Sequence, residues 1–273
     1  MKEGFKFLKN ELSGKWVVLA PKRSRRPDVA VGTEPPCPFC AGAESQTPKE
    51  VYRLGRGRKN TPGWQIRVVP NKFPFAPIHE LIIHSPNHKD SFFTYKRAYT
   101  AKIFRVYKER YLHWQGEGQV FIFYNHGVAG GESLPHTHTQ LTVIPSLVRL
   151  ETPRAAPPEN IIHESLLFTI FVPLASGWPY EVWFLPKSRG RSFGEIKSEE
   201  IEDLSRLFSK VLKKLQKILG VEFPFNFFIY PGGDWYLRLI PRVKTPGGFE
   251  LGTGIFVNTV DPKHSARKLS WPR

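Results

Sequence analysis

The sequence predicts an α+β fold in which one unit occurs twice, and three observations carry that reading. A short apolar strand, an amphipathic helix, a second strand, a glycine loop and a third strand closed by Ile-Pro follow one another over residues 80–145. The same order returns over residues 181–241, the first strand displaced by 101 positions. That period is far longer than the ~20–50 residues of a solenoid unit, so the copies are expected to be two units packed as a pseudo-twofold pair.

The first seventy residues are rich in Pro, Gly and Arg and read as an extended arm with loops, with strand-like pieces such as Trp16-Val17-Val18-Leu19. Residues 80–84 form the first strand. The spacing of Ile103, Phe104, Tyr107, Tyr111 and Trp114 predicts a helix over 96–114. Residues 119–124 are the second strand, ending at Asn125-His126-Gly127, and residues 140–145 are the third. A Pro- and Ala-rich linker over 152–160 divides the chain. Residues 1–150 hold the arm, the cysteines and the first unit, and residues 151–273 hold the second unit. There the strand is 181–186, and a helix over 198–219 buries Ile201, Leu204, Phe208, Val211 and Leu215. Acidic Glu199 and Glu200 open that helix and Gly220 stops it. Strands follow at 225–230 and 235–241.

Composition narrows the function. Of 273 residues, 40% are hydrophobic and 14% aromatic, which excludes a disordered chain. No apolar run reaches the ~18–20 residues of a membrane span; residues 161–175 come nearest and are broken by His163, Glu164 and Ser165. The first fifteen residues mix Lys and Glu without an apolar centre, unlike a signal peptide, so a soluble cytoplasmic protein is expected. The net charge of +16 points to anionic partners. Cys37 and Cys40, the only cysteines, form a Cys-Pro-Phe-Cys that reads as half of a metal site or as a redox dithiol. The redox reading lacks a thioredoxin-like βαβ context.

The densest chemical signal is residues 125–140, Asn-His-Gly-Val-Ala-Gly-Gly-Glu-Ser-Leu-Pro-His-Thr-His-Thr-Gln. Strand alternation puts His136, His138 and Gln140 on one face, just after a glycine loop able to bring backbone N–H groups against phosphate. Counting back from Ile-Pro in the second copy, His138 falls opposite Asp234 and Gln140 opposite Tyr236. One copy therefore is expected to carry chemistry, and the other to scaffold it or to shape a substrate pocket. His79, His84, His113, His126, His163 and His264 lack such a context and read as solvated or locally hydrogen-bonded; the lysines of 198–219 read as a solvated face.

This constellation resembles the galactose-1-phosphate uridylyltransferase branch of the histidine-triad superfamily. The resemblance covers most of the chain. Arg23-Ser24-Arg25-Arg26-Pro27 is similar to the family's Arg-x-x-Arg-Pro, and Pro70-Asn71-Lys72-Phe73-Pro74 to its Asn-x-Phe/Tyr-Pro. Ser85-Pro86-Asn87-His88 is similar to its Pro-x-His, and Gly248-Phe249-Glu250 to its Gly-Tyr/Phe-Glu. The resemblance implies duplicated histidine-triad-like domains, each an antiparallel sheet with a packed helix. It also implies ping-pong transfer through a covalent nucleotidyl-histidine on His138, with Gln140 donating to a phosphoryl oxygen. It assigns substrate binding to Asn71, Asn125, Gly131, Ser133 and Gln140. Arg23 and Arg26 would sit on an arm reaching the neighbouring subunit of a homodimer. One structural zinc ion would be held by Cys37, Cys40, His88 and His136.

Thr137 replaces the family's Pro between the histidines, and Phe256 stands where its hexose-binding Gln would be. The latter segment resembles the plant ADP-glucose phosphorylase; Glu250 and Asn258 are its candidate sugar or acceptor contacts. The expected reaction is UDP-glucose with galactose 1-phosphate or another hexose 1-phosphate, with a nucleoside diphosphate sugar and a sugar phosphate as ligands. The alternative is an adenylyltransferase or phosphorylase using ADP-glucose or a diadenosine polyphosphate. A basic nucleic-acid-binding or scaffold protein is the reading from a different class, and a histidine-triad hydrolase is weakened by Gln140, which cannot protonate a leaving group.

Overall fold

Alternating apolar strands and two long amphipathic segments fold into a single antiparallel sheet covered on one face by helices. The computed structural model describes residues 5–25, 37–151 and 158–272. A hairpin of β1 (Lys6–Lys9) and β2 (Trp16–Leu19) precedes the sheet. Then come β3 (Tyr52–Gly55), β4 (Trp64–Pro70), β5 (Ile78–Ile83), α1 (Arg97–Trp114), β6 (Gln119–His126) and β7 (His138–Ile144). The second half supplies β8 (Ile161–Glu164), β9 (Phe168–Phe171), β10 (Val182–Pro186), α2 (Ser198–Leu219), β11 (Phe225–Ile229) and β12 (Leu237–Pro241). Two short helices, α3 (Gly248–Thr253) and α4 (Pro262–Leu269), close the chain; Asp261 caps the latter by accepting from the His264 N–H. Among the described residues no helix is long and apolar enough to cross a membrane.

The strand order is β3-β4-β5-β7-β6-β11-β12-β10-β9-β8. Read outward from the β6–β11 seam, the two halves repeat one another strand for strand. The expected paired sheets are thus joined edge to edge, with Phe123 opposite Phe228 on the seam. Both helices lie on one face, where Ile103, Phe104 and Tyr107 of α1 and Ile201, Leu204, Phe208 and Val211 of α2 are fully or almost fully buried. They pack on Val120, Ile122 and Tyr124 of β6 and on Phe225 and Phe227 of β11. Each large side chain buried this way contributes ~1.5–3 kcal/mol. Phe208 also meets Phe92, Phe104 and Phe227 edge-on.

Two readings are revised. The expected arm contains β3 and the buried β4, whose apolar alternation is interrupted by Arg67. That side chain is 1% exposed and is neutralised by Glu50, seventeen positions earlier, at 2.9 Å. The correspondence between copies also shifts. Gln140 is opposite Phe123 on one side of the seam and Arg238 is opposite Phe228 on the other. Taken about the Phe123–Phe228 row, Arg238 occupies the place of Gln140, and Tyr236, two residues earlier, that of His138. The two Ile-Pro pairs do not sit on equivalent rungs, since Ile144 faces Gln119 while Ile240 faces Asn226.

Strand β5 is pinned to α1 by a buried ion pair. Arg110 reaches both oxygens of Glu80 at 2.9 and 2.6 Å, and the Trp114 indole donates to the same carboxylate at 3.0 Å. Arg110→Ala strands that carboxylate in the core and is expected to cost ~3–5 kcal/mol in urea unfolding. A loss under ~1 kcal/mol would mean that the pair is solvated.

Candidate active site and metal cluster

Cys37 and Cys40 lie on a tight turn closed by the Cys40 N–H donating to the Cys37 carbonyl at 3.1 Å. The turn faces two histidines. His136 Nδ1 is 3.6 Å from the sulfur of each cysteine, and His88 Nδ1 is 3.5 Å from Cys40 Sγ. All four ligand atoms fall within 4.8 Å of one another. Bonds of ~2.3 Å to sulfur and ~2.0–2.1 Å to nitrogen at tetrahedral angles separate S from N by ~3.5 Å, so the four residues fit a metal ion between them. The orientation of His136 agrees: its Nε2–H donates to the Ser85 carbonyl at 2.7 Å, leaving the lone pair on Nδ1. Burial holds His136 down at about 4, so the ring is a neutral ligand near pH 7. Burial also pushes the Cys37 thiol up to about 11, so a cation that binds here must displace its proton.

Two residues after His136, the chain enters β7. His138 Nδ1 donates to the carbonyl of His136 at 2.8 Å, which places the ring's lone pair on Nε2. The ring packs edge-on against Phe39 of the cysteine turn, which also abuts His136. His138 and Gln140 line one cavity together with Asn71, Ser133, Phe73 and Leu134. One wall of that cavity, the segment following the cysteines, is held by Arg67, which donates to Thr47 Oγ1 at 2.8 Å and to the Glu44 carbonyl at 3.3 Å.

The side-chain oxygen of Gln140 lies 3.0 Å from His79 Nε2. The Phe75 N–H reaches His79 Nδ1 at 3.4 Å, so Nε2 carries the ring proton and donates to Gln140. The Asn71 amide lies across the same ring, 3.1 and 3.5 Å from its two nitrogens. With its carbonyl held, Gln140 presents its NH2 group. Sequence reasoning set His79 aside; the signal that could have found it is strand alternation, since His79 and Glu80 face opposite sides of β5 and Glu80 is taken by Arg110. His84 is likewise no solvated residue: it is fully buried, burial holds it well below its usual value, and its Nε2 meets Thr139 Oγ1 at 2.9 Å.

Asn125 follows from the sheet register. Phe123 is opposite Gln140 and Tyr124 opposite Thr139, so the next rung sets Asn125 level with His138 on the same face. Gly131 turns the loop with φ 76°, a left-handed conformation that favours glycine. Glu132 closes the loop by accepting from the Gly127 N–H at 2.7 Å, and burial pushes its carboxyl up to about 7.

The remaining candidates lie apart from the cavity. Arg23 donates to the Phe73 carbonyl and stacks over Phe75, two residues of the Asn71–Phe75 loop. Arg26 falls outside the described residues. Glu250 is engaged by Lys244 at 2.5 Å and by the Gly247 N–H at 3.0 Å. Asn258 donates to the Ser176 carbonyl at 2.9 Å and accepts from the Val260 N–H at 3.0 Å.

No protein-family model matches the chain. It is 26% identical to ADP-glucose phosphorylase of Arabidopsis thaliana, covering 96% of this chain and 91% of that protein. It is 24% identical to galactose-1-phosphate uridylyltransferase of Thermotoga maritima, covering 95% of this chain and 96% of that protein. Among solved structures, an ADP-glucose phosphorylase from Arabidopsis thaliana with bound ADP-glucose superposes with a TM-score of 0.74 at 24% identity, covering 99% of this chain and 100% of that one. A uridylyltransferase structure superposes with a TM-score of 0.76 at 20% identity, covering 96% of each chain. These structural likenesses bear out the histidine-triad-like fold.

Metal content measured by plasma mass spectrometry tests the cluster. Wild type is expected to carry about one transition-metal ion per chain and Cys40→Ser close to none; equal content in both proteins would contradict the assignment.

Proposed function

We propose that this chain, homologous over nearly its whole length to galactose-1-phosphate uridylyltransferase and ADP-glucose phosphorylase, is a nucleotidyltransferase working by double displacement. The observation that carries the reading is His138, anchored through Nδ1 and sharing one cavity with a Gln140 turned NH2-first. In the first displacement, Nε2 of His138 attacks the α-phosphorus of a nucleoside diphosphate sugar. The bond to the bridging oxygen breaks, and the sugar 1-phosphate leaves with that electron pair. In the second, an oxygen of an acceptor phosphate attacks the same phosphorus and the phosphorus–nitrogen bond breaks, returning neutral imidazole. Gln140 donates to a non-bridging oxygen as negative charge grows there. A phosphate monoester is a stable anion and needs no proton on departure, which suits a glutamine at this position.

The metal is read as one structural zinc ion held by Cys37, Cys40, His88 and His136, since two thiolates and two imidazoles are a donor set that zinc favours. It braces the turn before β7 and takes no part in the displacements. The catalytic unit is residues 1–150, and residues 151–273 form the degenerate second unit. We extend the reading to a homodimer: Phe249, Leu251 and Ile255 are 55%, 75% and 61% exposed, a run of apolar surface that a second copy would cover.

For substrate, UDP-glucose with a hexose 1-phosphate such as galactose 1-phosphate is the first reading. Adenylyl transfer from ADP-glucose is the second, favoured by Phe256 in place of the hexose-binding Gln and by the 26% identity to ADP-glucose phosphorylase. A cavity lined by His138 and Gln140 also argues for an enzyme over a nucleic-acid-binding surface.

Intact-protein mass spectrometry after separate incubation with UDP-glucose and ADP-glucose tests the proposal. Wild type is expected to gain a uridylyl group on the first reading or an adenylyl group on the second, and His138→Ala to gain neither. Absence of any adduct on wild type, or an adduct that survives His138→Ala, would sink it.

A further inference from the structure

The second half of the chain reaches the site through a hydrogen-bonded relay. Asn226 of β11 is directly opposite Asn125 of β6 on the seam between the halves. Its Nδ2 donates to Asn125 Oδ1 at 2.8 Å and to the Gly130 carbonyl at 2.7 Å. Its Oδ1 accepts from Arg242 Nη1 at 2.8 Å. Arg242 follows β12, and its guanidinium lies 4.8 Å from the centre of the Trp178 ring.

The polarity of this relay has one solution. A guanidinium only donates, so the Asn226 atom facing Arg242 must be its oxygen. A backbone carbonyl only accepts, so the Asn226 atom facing Gly130 must be its nitrogen. Both ends agree, and Asn125 is left to offer its oxygen to Asn226. Its NH2 group then turns toward the loop, where it makes a long 3.4 Å contact with the Gly131 carbonyl.

We infer that Arg242 and Asn226 are positioning residues that lock Asn125 NH2-first, so that the second half dictates which end of that amide meets the substrate phosphate. The inference rests on the nucleotidyl-transfer reading. Flipped by 180°, Asn125 would aim a carbonyl oxygen at the phosphoryl group and repel it. The relay does for Asn125 from the second half what His79 does for Gln140 within the first: each amide has its oxygen taken by a neighbour, and each presents donors to an anion. It also gives the degenerate half a chemical reason to keep Asn226 and Arg242 on the seam.

The test uses Asn226→Asp in the full-length, metal-loaded protein. The substitution keeps size and the contact with Arg242 but removes the donor to Asn125. The rate of His138 nucleotidylation at saturating UDP-glucose or ADP-glucose, whichever labels wild type, is expected to fall about 10²-fold, with metal content unchanged. Because the introduced carboxylate could also disturb Gly130, the same change is made in an Asn125→Ala background. A relay acting through Asn125 predicts less than a threefold further loss there, since effects along one path do not multiply. A wild-type rate for Asn226→Asp, or full multiplication of the two effects, overturns the relay while leaving the transferase reading intact. A wild type that takes no label from either nucleotide sugar overturns both.

Discussion

Everything at the site depends on one short hydrogen bond, from His138 Nδ1 to the carbonyl of His136. The residue that supplies the carbonyl also belongs to the group of Cys37, Cys40, His88 and His136 that could hold a metal ion, with its Nε2 on Ser85 and its Nδ1 facing the cysteines. Ring and main chain of His136 thus join the Cys/His cluster to His138 through a few covalent bonds. On the reverse of the same strand Thr139 lies in a buried network, with Tyr107 Oη 3.0 Å from His84 Nε2. The strand is gripped from both faces, and His138 inherits that rigidity. Preorganisation of this kind matters because a displacement at phosphorus needs the attacking nitrogen in line before charge develops.

The second half holds a similar geometry with different residues. Where His79 meets Gln140, Glu181 meets Arg238 as an ion pair at 2.6 Å. At the position equivalent to His138, Tyr236 is fully buried and stacks between Trp183 and Tyr230. A diagonal polar pair beside an aromatic ring is kept in both halves. In one it leaves a cavity, and in the other it is filled with side chains. The half that lost its cavity retains the seam with β6 and through it a hold on Asn125.

Much of this was legible in the sequence wherever one residue's neighbours settle its role. The buried faces of α1 and α2 follow from apolar spacing, and the pairing of Cys37 and Cys40 with His88 and His136 follows from the family resemblance and closes in space. What escaped depends on partners far along the chain. Strand β4 hid behind Arg67, whose burial is compensated by Glu50. His79 looked ordinary until β5 came to lie beside β7. Equivalence between copies also cannot be read by counting from Ile-Pro, because only strand pairing says which rungs match.

The stereochemical course at phosphorus tests the covalent role of His138 most directly. A nucleoside diphosphate sugar carrying sulfur at one non-bridging position of the α-phosphate is chiral there, and its transfer product can be assigned by phosphorus NMR. Two successive in-line displacements, onto His138 and off it, each invert the centre, so the product must retain configuration. Inversion would mean direct attack by the acceptor, with His138 in some other role.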